Sequence, residues 1–319
     1  MDERLRSALH DAFPDRTVDS TGASGPSWNE QNETVGVEFE DGDRIYLKVA
    51  LDGDGSRIAR ESAVLAFVRA NSSVPVPTIA ACDPSASVPY LATEEVEGRL
   101  LHRDWGEADQ PARAAMAREV GTALATVHEL RFDAHGHVVG GGASGIDLDT
   151  KSWTDVLVDT IGEMQTRAPS DRFDHHFDEV AAAIETNRDL LDDTPAVLLH
   201  GDPAMPNCFQ TDAGVGFLDW EISHVGDPAR DVYRTQDQQF TESSTDDPER
   251  MTTAFYDGYR ARAGGLPDGY EARTPIYDAV RLLAYSGHFE NYVEYLDESR
   301  EELADWVTAE MARRLDRIR

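Results

Sequence analysis

The spacing of apolar residues changes along the chain, from the alternation of strands in the first third to the longer period of helices afterwards. Four runs in the first third alternate as strands do: residues 34–39, 44–51, 79–83 and 90–95. Asp41-Gly42 lies between the first two runs and is typical of a hairpin turn. Residues 1–13 and 56–70 have helical spacing. The pattern predicts a small antiparallel sheet with one inserted helix.

The remainder of the chain is predicted to be mainly helical. Helical spacing covers residues 110–129, 153–167, 173–191, 246–263 and 272–319. Residues 20–31 are interpreted as a polar loop, and the five glycines of residues 136–145 indicate a flexible loop. We therefore expect an α+β chain with an N-terminal β lobe at residues 1–95, a helical lobe at residues 96–319 and a hinge at about residues 94–98.

A second hairpin lies in the middle of the chain. Apolar residues lead into His200-Gly201-Asp202, and two short runs, residues 208–211 and 215–218, flank a turn of Asp, Ala and Gly. This arrangement predicts that Asp202, Asn207 and Asp219 leave strand ends on one side of a small sheet. A carboxylate aimed at a hydroxyl beside two oxygen ligands suits chemistry assisted by Mg²⁺.

Length and composition limit the class of protein. With 319 residues and 40% hydrophobic residues, the chain is long enough for two lobes with a core. No apolar run has the length of a membrane span, and the N-terminus lacks a signal-peptide pattern, so no membrane partner is expected. Cys82 and Cys208 are the two cysteines, which argues against a disulfide framework or zinc site and favours the cytoplasm.

The charge is strongly acidic, with 61 acidic against 29 basic residues and a formal net charge of −32. Binding to nucleic acid is disfavoured, because phosphate backbones require cationic patches. The acidic residues are spread along the chain, which indicates a solvated acidic surface rather than a dedicated cationic partner. Such a surface is typical of proteins from salt-accumulating microbes, a halophilic character, and no obligate protein partner is evident.

Lys48 is a candidate phosphate ligand, since it interrupts the apolar run of residues 45–50 in a chain whose other lysine is Lys151. An ordinary outward-facing strand residue is the alternative. The predicted helix that follows carries Glu61, for which the alternative is one more solvated acid. A strand lysine facing a helix glutamate is the arrangement with which kinases hold the α- and β-phosphates, so we prefer the functional interpretation of both.

Several histidines and aromatic residues are given no chemical role. His128 closes a predicted helix and is assigned to packing or capping. His175 and His176 are assigned to the surface, because adjacent residues on a helix point in different directions. The aromatic side chains in the segment 281–296 are interpreted as a packed helix face, and the alternative is that they form a wall of the acceptor pocket.

An ordered set of motifs resembles the aminoglycoside phosphotransferase and choline kinase-like family, which has the bilobal protein-kinase-like fold. The matching pieces, at family order and spacing, are Leu47-Lys48-Val49, Arg60-Glu61, Val74-Pro75-Val76-Pro77, His200-Gly201-Asp202 with Asn207, Asp219-Trp220-Glu221, and Gly226-Asp227-Pro228 with Asp231. They cover about residues 30–235. Residues 20–31 depart from a tidy glycine-rich phosphate loop, so their contacts with phosphate stay open.

The resemblance implies an ATP- and Mg²⁺-dependent phosphotransferase. Asp202 would be the base for the acceptor hydroxyl, and Asn207 and Asp219 would hold Mg²⁺. Lys48, steadied by Glu61, would contact the α- and β-phosphates of ATP. His200, Asp227 and Asp231 would support the catalytic loop.

The predicted hinge would offer two backbone groups to the adenine edge, the Glu94 carbonyl and the Val96 amide. A plain linker is the alternative for this segment. The acceptor is a small molecule with a hydroxyl, of the aminoglycoside, choline, sugar or amino-alcohol type. The alternative functions are a catalytically inactive kinase-like module that binds nucleotide, and a Mg²⁺-dependent phosphohydrolase with Asp202 as nucleophile.

The acidic composition leads to a prediction about salt. At molar salt the Debye length falls to about 3 Å, so repulsion among exposed carboxylates is screened. We expect the melting temperature in multimolar KCl to exceed that in dilute buffer by several degrees, as measured by calorimetry. An unchanged melting temperature would contradict this account of the surface.

Overall fold

The computed structural model describes residues 2–23, 31–241, 247–295 and 299–319. The first elements in chain order are α1 (Glu3–Ala12), β1 (Val18–Ala23), β2 (Asn32–Phe39), β3 (Arg44–Ala50), α2 (Ser56–Asn71), β4 (Ile79–Asp83) and β5 (Tyr90–Glu94). The strands form one antiparallel sheet in the order β1-β2-β3-β5-β4. The predicted small sheet with an inserted helix is therefore present.

Alternation along β3 sends its side chains toward two different helices. Leu47 and Val49 are fully buried and lie in one apolar cluster with Leu5 of α1. Lys48 has the opposite orientation and contacts Glu61 of α2. Because successive strand residues face opposite sides of a sheet, one short strand supplies both an apolar face and a charged group.

In the described part of the chain, seven further strands form two smaller antiparallel sheets. They are β6 (Arg99–Leu100), β7 (Gly136–Gly142), β8 (Gly145–Thr150), β9 (Val197–Leu199), β10 (Cys208–Thr211), β11 (Gly214–Phe217) and β12 (His224–Gly226). One sheet has the order β11-β10-β6 and the other β8-β7-β12-β9. The strand that leads to Asp202 and the hairpin before Asp219 thus belong to different sheets, and the expectation of one shared small sheet was wrong.

Helices make up most of the chain after β6, as the spacing predicts. They are α3 (Leu101–Glu107), α4 (Gln110–Val127), α5 (Trp153–Arg167), α6 (Asp174–Thr186), α7 (Arg188–Leu191), α8 (Pro228–Gln236), α9 (Pro248–Ala263), α10 (Tyr270–Gly287), α11 (Phe289–Tyr295) and α12 (Arg300–Leu315). Within the described ranges, no helix has the length and apolar content needed to cross a bilayer.

Helices α4 and α9 cross at very short range because each contributes a glycine to the contact. A Cβ at Gly258 would lie 1.9 Å from the Arg118 carbonyl oxygen, and a Cβ at Gly121 would lie 2.1 Å from the Phe255 carbonyl oxygen. Neither position has room for a larger residue, so the backbone approach itself selects glycine. This crossing belongs to the large core that lies beneath the two smaller sheets.

Two segments interpreted as loops contain strands. Residues 136–145 form the hairpin of β7 and β8, and β7 also pairs with β12, a strand far away in sequence. Part of residues 20–31 belongs to β1, while residues 24–30 lie outside the described ranges. Glycine and polar residues weaken the alternation that marks a strand, so pairing partners decide these cases.

The aromatic residues near residue 289 pack among themselves. Phe289 is buried with Phe173, and the ring of Tyr285 stacks on that of Tyr292 at a centroid separation of 4.2 Å. The segment interpreted as one helix is divided, since α10 ends at Gly287 and α11 begins at Phe289. A packed face therefore describes these aromatic side chains.

His176 is buried, which corrects its assignment to the surface. The residue is 2% exposed, and its Nδ1 lies 2.9 Å from the hydroxyl of Ser286 on α10. Burial, with a smaller contribution from His175, lowers the pKa of His176 to about 4. The neutral ring is therefore the form that the fold accepts.

This shift predicts a pH dependence of stability. Since the folded pKa lies below the ordinary value of 6.5, the contribution of His176 is complete above pH 6.5 and is lost as the pH falls toward about 4. We expect His176→Gln to reduce the fall in unfolding free energy over this range by about 1–3 kcal/mol. Urea unfolding at several pH values measures it. The matched variant His175→Gln, at an exposed neighbour, should change the fall far less; equal effects would contradict the assignment.

Candidate active site

Three carboxylates surround the ammonium group of Lys48. Its Nζ lies 2.6 Å from Glu61 Oε2, 2.7 Å from Asp219 Oδ1 and 3.1 Å from Glu221 Oε2. Burial alone would lower the pKa of Lys48, but attraction from the three carboxylates outweighs burial and raises it well above its ordinary value. The three carboxylates therefore favour the charged form of the amine.

Glu221 is a site residue that motif reasoning left without a role. Its carboxylate accepts a hydrogen bond from Asn32 Nδ2 at 2.7 Å and pairs with Arg57 Nη1 at 2.6 Å. Its one signal in the sequence is its position two residues after Asp219. Arg57 and Asn32 carried no signal in the sequence. Asn32 lies in β2 and Arg57 in the first turn of α2, both far along the chain from Glu221.

The three carboxylates of this cluster lie beside several cations. Glu61, Asp219 and Glu221 contact Lys48 or Arg57, and Arg60 Nη1 donates to the Glu221 backbone carbonyl at 3.2 Å. Burial is the largest cause that raises the pKa of Glu61, to about 7, and repulsion from the other two carboxylates adds to it against the attraction of Lys48. Repulsion among the three carboxylates favours a further cation beside Asp219, the exposed member.

The backbone around Asp219 has an unusual conformation. Asp219 has a φ of +62°, and no other non-glycine residue of the described ranges has a positive φ. This left-handed conformation is costly for a residue with a Cβ, and the next residue ties it down, since Trp220 N–H donates to Glu61 Oε1 at 3.3 Å. The turn leaves the Asp219 side chain 44% exposed while its Oδ1 contacts Lys48.

His200 connects the loop after β9 to the end of β11. Its Nε2 lies 2.8 Å from the Leu218 carbonyl oxygen, and its Nδ1 lies 3.2 Å from the Asp202 backbone nitrogen. A carbonyl accepts and an N–H donates, so the ring is the neutral tautomer with its proton on Nε2. Burial lowers the pKa of His200 and favours this neutral form.

Asp231 supports the same loop from beneath. Its buried carboxylate accepts hydrogen bonds from the backbone N–H of His200 at 2.7 Å and of Gly201 at 3.2 Å. Burial opposes the charge, but interaction with His128, whose Nε2 lies 3.8 Å from Asp231 Oδ2, and attraction from Arg230 hold the pKa of Asp231 well below its usual range. The loop that carries Asp202 therefore lies on a permanently charged acceptor.

A second buried carboxylate, that of Asp227, fixes the start of α8. It accepts from the Ala229 backbone N–H at 3.0 Å, which caps the helix, and pairs with Arg273 Nε at 2.6 Å. The hydroxyl of Tyr277 donates to the same carboxylate. Helix α8 and α10 are thereby locked together behind the loop.

Asp202 and Asn207 lie at the two ends of one short loop. The Asn207 side-chain N–H donates to the Asp202 carbonyl oxygen at 3.0 Å, and the Asn207 carbonyl accepts from Leu218 N–H at 2.8 Å. Arg234 of α8 contacts Asp202 Oδ1 through Nε at 3.0 Å and Nη2 at 2.9 Å. Arg234 is a further residue that no sequence motif identified.

The structure thus brings two groups of predicted residues to the same place. Lys48, Glu61 and Asp219 are in direct contact, and Asn207 joins Asp202 to the strand end that precedes Asp219.

Glu94 and Val96 are not connected to this cluster by any contact among the described residues. Glu94 ends β5 opposite Ile45, and its backbone N–H donates to Thr78. Their roles toward adenine stay predictions. So do the phosphate contacts of residues 24–30, which lie outside the described ranges.

Comparison with known proteins identifies the family. A family model described as "Phosphotransferase enzyme family" matches residues 23–276. The chain belongs to this family. The match includes the strand lysine, the loop of Asp202 and the carboxylates behind it, and the α+β kinase-like fold follows from it.

Solved structures of low identity share the fold. Aminoglycoside phosphotransferase APH(4)-Ia is 17% identical, with a TM-score of 0.64 and 98% of each chain covered. The streptomycin-ATP-APH(2'')-IIa ternary complex is 14% identical, with a TM-score of 0.61 and coverage of 98% of this chain and 96% of that one. ADP-bound APH(2'')-Ib is 16% identical, with a TM-score of 0.60 and coverage of 100% and 99%. No curated protein matches the chain in sequence.

The residues present fit a nucleotide with a divalent metal. Glu61, Asp219 and Glu221 place carboxylate oxygens within 4.8 Å of one another, but Lys48 already contacts all three. Asp219 is the exposed member and is the one open to a further cation. Asn207 donates its side-chain N–H to the Asp202 carbonyl, which leaves its amide oxygen as an acceptor. Carboxylate and amide oxygens are ligands that Mg²⁺ prefers.

The support of the loop by Asp231 can be tested by unfolding. Asp231→Asn replaces a buried charged acceptor by an amide whose N–H₂ group would face N–H donors, so we expect a loss of about 2–4 kcal/mol in unfolding free energy. Urea unfolding in high KCl measures it. The matched variant Asp257→Asn, whose side chain is 45% exposed, should cost less than about 0.5 kcal/mol. A similar loss in both variants would refute the role of Asp231.

Proposed function

We propose that the chain transfers the γ-phosphoryl group of ATP to a hydroxyl of a small molecule, with Mg²⁺ as cofactor. The contact of Lys48 Nζ with Glu61 at 2.6 Å and Asp219 at 2.7 Å carries this proposal. It joins a lysine of the N-terminal sheet to the exposed carboxylate after β11. Enzymes that transfer phosphoryl groups rely on such a cation beside a metal-binding carboxylate, because catalysis is mainly positioning and charge neutralisation.

Lys48 would contact the α- and β-phosphates, with Glu61 fixing the direction of its side chain. The buried ion pair holds the Lys48 side chain in one orientation, because moving its ammonium group away would leave the carboxylates without a counter-charge. The adenine would lie against the Glu94 carbonyl and the Val96 amide. The chain has few cations and a net charge of −32. Positive groups near the phosphates are therefore needed to bind ATP, which is a polyanion.

Asp202 would orient the acceptor hydroxyl and accept its proton. The acceptor oxygen forms a bond to the γ-phosphorus, and the bond from this phosphorus to the bridging oxygen breaks. ADP leaves with that electron pair, and the proton passes to Asp202 and then to water. Arg234 contacts Asp202 through Oδ1, and Oδ2 accepts no hydrogen bond within the described part of the chain, so it is open to the hydroxyl.

Asn207 and Asp219 would hold Mg²⁺ through their side-chain oxygens. The ion supplies positive charge to the phosphate oxygens as negative charge develops on them. The two residues are kept in place by the backbone, through the hydrogen bond of Leu218 N–H to Asn207 and the left-handed turn at Asp219.

Two alternative functions are less consistent with these contacts. A catalytically inactive nucleotide-binding module would have no need for Asp202, Asn207, Asp219 and Lys48 together. A Mg²⁺-dependent phosphohydrolase with Asp202 as nucleophile would have no need for the buried ion pair of Lys48 and Glu61. Phosphoryl transfer to an alcohol uses all of these groups.

The acceptor is a small molecule of the aminoglycoside, choline, sugar or amino-alcohol type. We place the protein in the cytoplasm, where ATP is available and its two thiols stay reduced. Neither a nucleic-acid partner nor a membrane partner belongs to this proposal.

Nucleotide binding and turnover test the proposal separately. With Mg²⁺ present, ATP at about 100 times its Kd should stabilise the fold by about 2.7 kcal/mol, visible as a rise in melting temperature in high KCl. Asp219→Ala should remove most of this rise. Asp202→Ala should abolish ADP release in the presence of acceptors from a library of hydroxyl compounds, yet keep the rise.

Asp212→Ala, an exposed aspartate in the turn between β10 and β11, is the matched control and should retain both properties. If ATP fails to stabilise the wild type, the assignment is wrong. If Asp202→Ala loses ATP binding as well, the role of Asp202 is wrong.

A further inference from the structure

Three arginines line a small cavity beside the candidate catalytic loop. The cavity of about 40 Å³ lies between α8 and α10, and its charged lining consists of Arg230 and Arg234 of α8 and Arg281 of α10. Arg230 and Arg234 are one helical turn apart and therefore share a face of α8. Among the described residues that line the cavity, none has an acidic side chain. We call it the arginine pocket.

Among the described residues, Arg230 has no carboxylate partner at close range. The residue is 7% exposed, and its Nη1 lies 2.5 Å from His224 Nε2. His224 is neutral, because burial and then repulsion from Arg230 lower its pKa well below the usual value. Within the described ranges, no carboxylate oxygen lies within 4.0 Å of the Arg230 guanidinium. A buried guanidinium without a close counter-ion is costly, so a ligand anion would improve its environment.

The carboxylate that attracts Arg230 most strongly is already engaged. Asp231 attracts Arg230, but its oxygens accept hydrogen bonds from the backbone of His200 and Gly201. Burial is the main cause that lowers the pKa of Arg230, to about 10, despite this attraction. The guanidinium stays charged at neutral pH and still faces the cavity.

Arg234 connects the arginine pocket to the reacting carboxylate. Its guanidinium lines the cavity and contacts Asp202 Oδ1 at 2.9 Å. A group bound in the pocket would therefore be separated from Asp202 by a single guanidinium. Arg281 adds a third positive charge from the facing helix, with its Nε 3.5 Å from Asp237 Oδ2 at the far end of α8.

The composition makes this cluster unusual for the chain. Acidic residues outnumber basic residues by 61 to 29, yet the described lining of this cavity is cationic. An acceptor that is itself a cation would meet two or three guanidinium groups beside Asp202 at a cost. An anion would be bound by charge-assisted and bidentate hydrogen bonds, which arginine forms well with carboxylate and phosphate.

From this geometry we infer that the acceptor carries an anionic group, a carboxylate or a phosphate, which the arginine pocket binds while the acceptor hydroxyl lies at Asp202. The inference rests on the proposed phosphotransferase function and narrows its acceptor types to those with an anionic group, which excludes simple aminoglycosides and choline. The chemical step is unchanged, since the anionic group is bound and does not react.

The size of the cavity agrees with a headgroup rather than a whole acceptor. Its volume of about 40 Å³ exceeds the roughly 10–15 Å³ that one water needs. One ionised headgroup matches this space, and the remainder of the acceptor would extend toward Asp202. The bound anion would neutralise the positive charge of Arg234 in place of Asp202.

Matched pairs of acceptors test the inference on the wild-type protein. ADP release is measured in high KCl with MgATP and D-glycerate or glycerol, D-gluconate or D-glucitol, and D-glucose 6-phosphate or D-glucose, with choline and kanamycin as cations. We expect at least one anionic compound to exceed its neutral partner by about tenfold or more in kcat/KM. The carboxylate and phosphate arms distinguish the two anion sources.

The other outcomes separate the two proposals. If MgATP stabilises the protein but a neutral or cationic acceptor is preferred, or no anionic compound binds in calorimetry with an unreactive ATP analogue, the anionic acceptor is wrong and the phosphotransferase function stands. If MgATP does not bind at all, the proposed function is wrong and the inference falls with it.

Variants test the arginines themselves. Arg230→Gln should lower the ratio of kcat/KM for the anionic acceptor to that for its neutral partner about tenfold or more. Arg230→Lys should recover part of the loss. Arg118→Gln, at an arginine whose side chain is 55% exposed, should change none of these values. If Arg230→Gln lowers the turnover of the anionic and the neutral acceptor equally, the arginines are structural and the inference is overturned. The inference is also overturned if Arg234→Gln leaves the preference for the anionic acceptor unchanged.

Discussion

The site depends on one buried ammonium group shared by three carboxylates. Lys48 comes from the N-terminal sheet, Glu61 from the inserted helix, and Asp219 and Glu221 from the turn after β11. Lys48, Glu61 and Glu221 are buried, and removing one partner would leave the others desolvated and less well paired. The pairing therefore fixes the position of the sheet relative to the loop that carries Asp202.

The charged side chains around the loop that carries Asp202 have different roles according to their sign. Asp227 and Asp231 lie beneath it, where they accept backbone N–H groups and cap α8. Arg230 and Arg234, on the same helix, line the cavity. The acidic surface of the chain conceals this division, since net charge reports the sum of the residues and not their positions.

Sequence reasoning succeeded where the evidence was local. The helix at residues 153–167 was predicted with the bounds that the structure gives, because its spacing is regular and Ser152 caps it. Sequence reasoning failed where the structure of a segment depends on residues that are far away along the chain. Residues 136–145 are strands because β12 pairs with them, and His176 is buried because Ser286 of α10 lies against it. Roles of the predicted site residues remain proposals.

By itself, the sequence determined the family, the order of strands and helices in outline, and the loop and turn that carry Asp202, Asn207 and Asp219. These features depend on spacing along the chain, which neighbouring residues settle. Tertiary structure alone decided that Glu221, Arg57 and Asn32 join Lys48, and that Arg230, Arg234 and Arg281 surround one cavity. The physical reason is that electrostatic pairing depends on distance in space, which residues far apart in sequence acquire only when the chain folds.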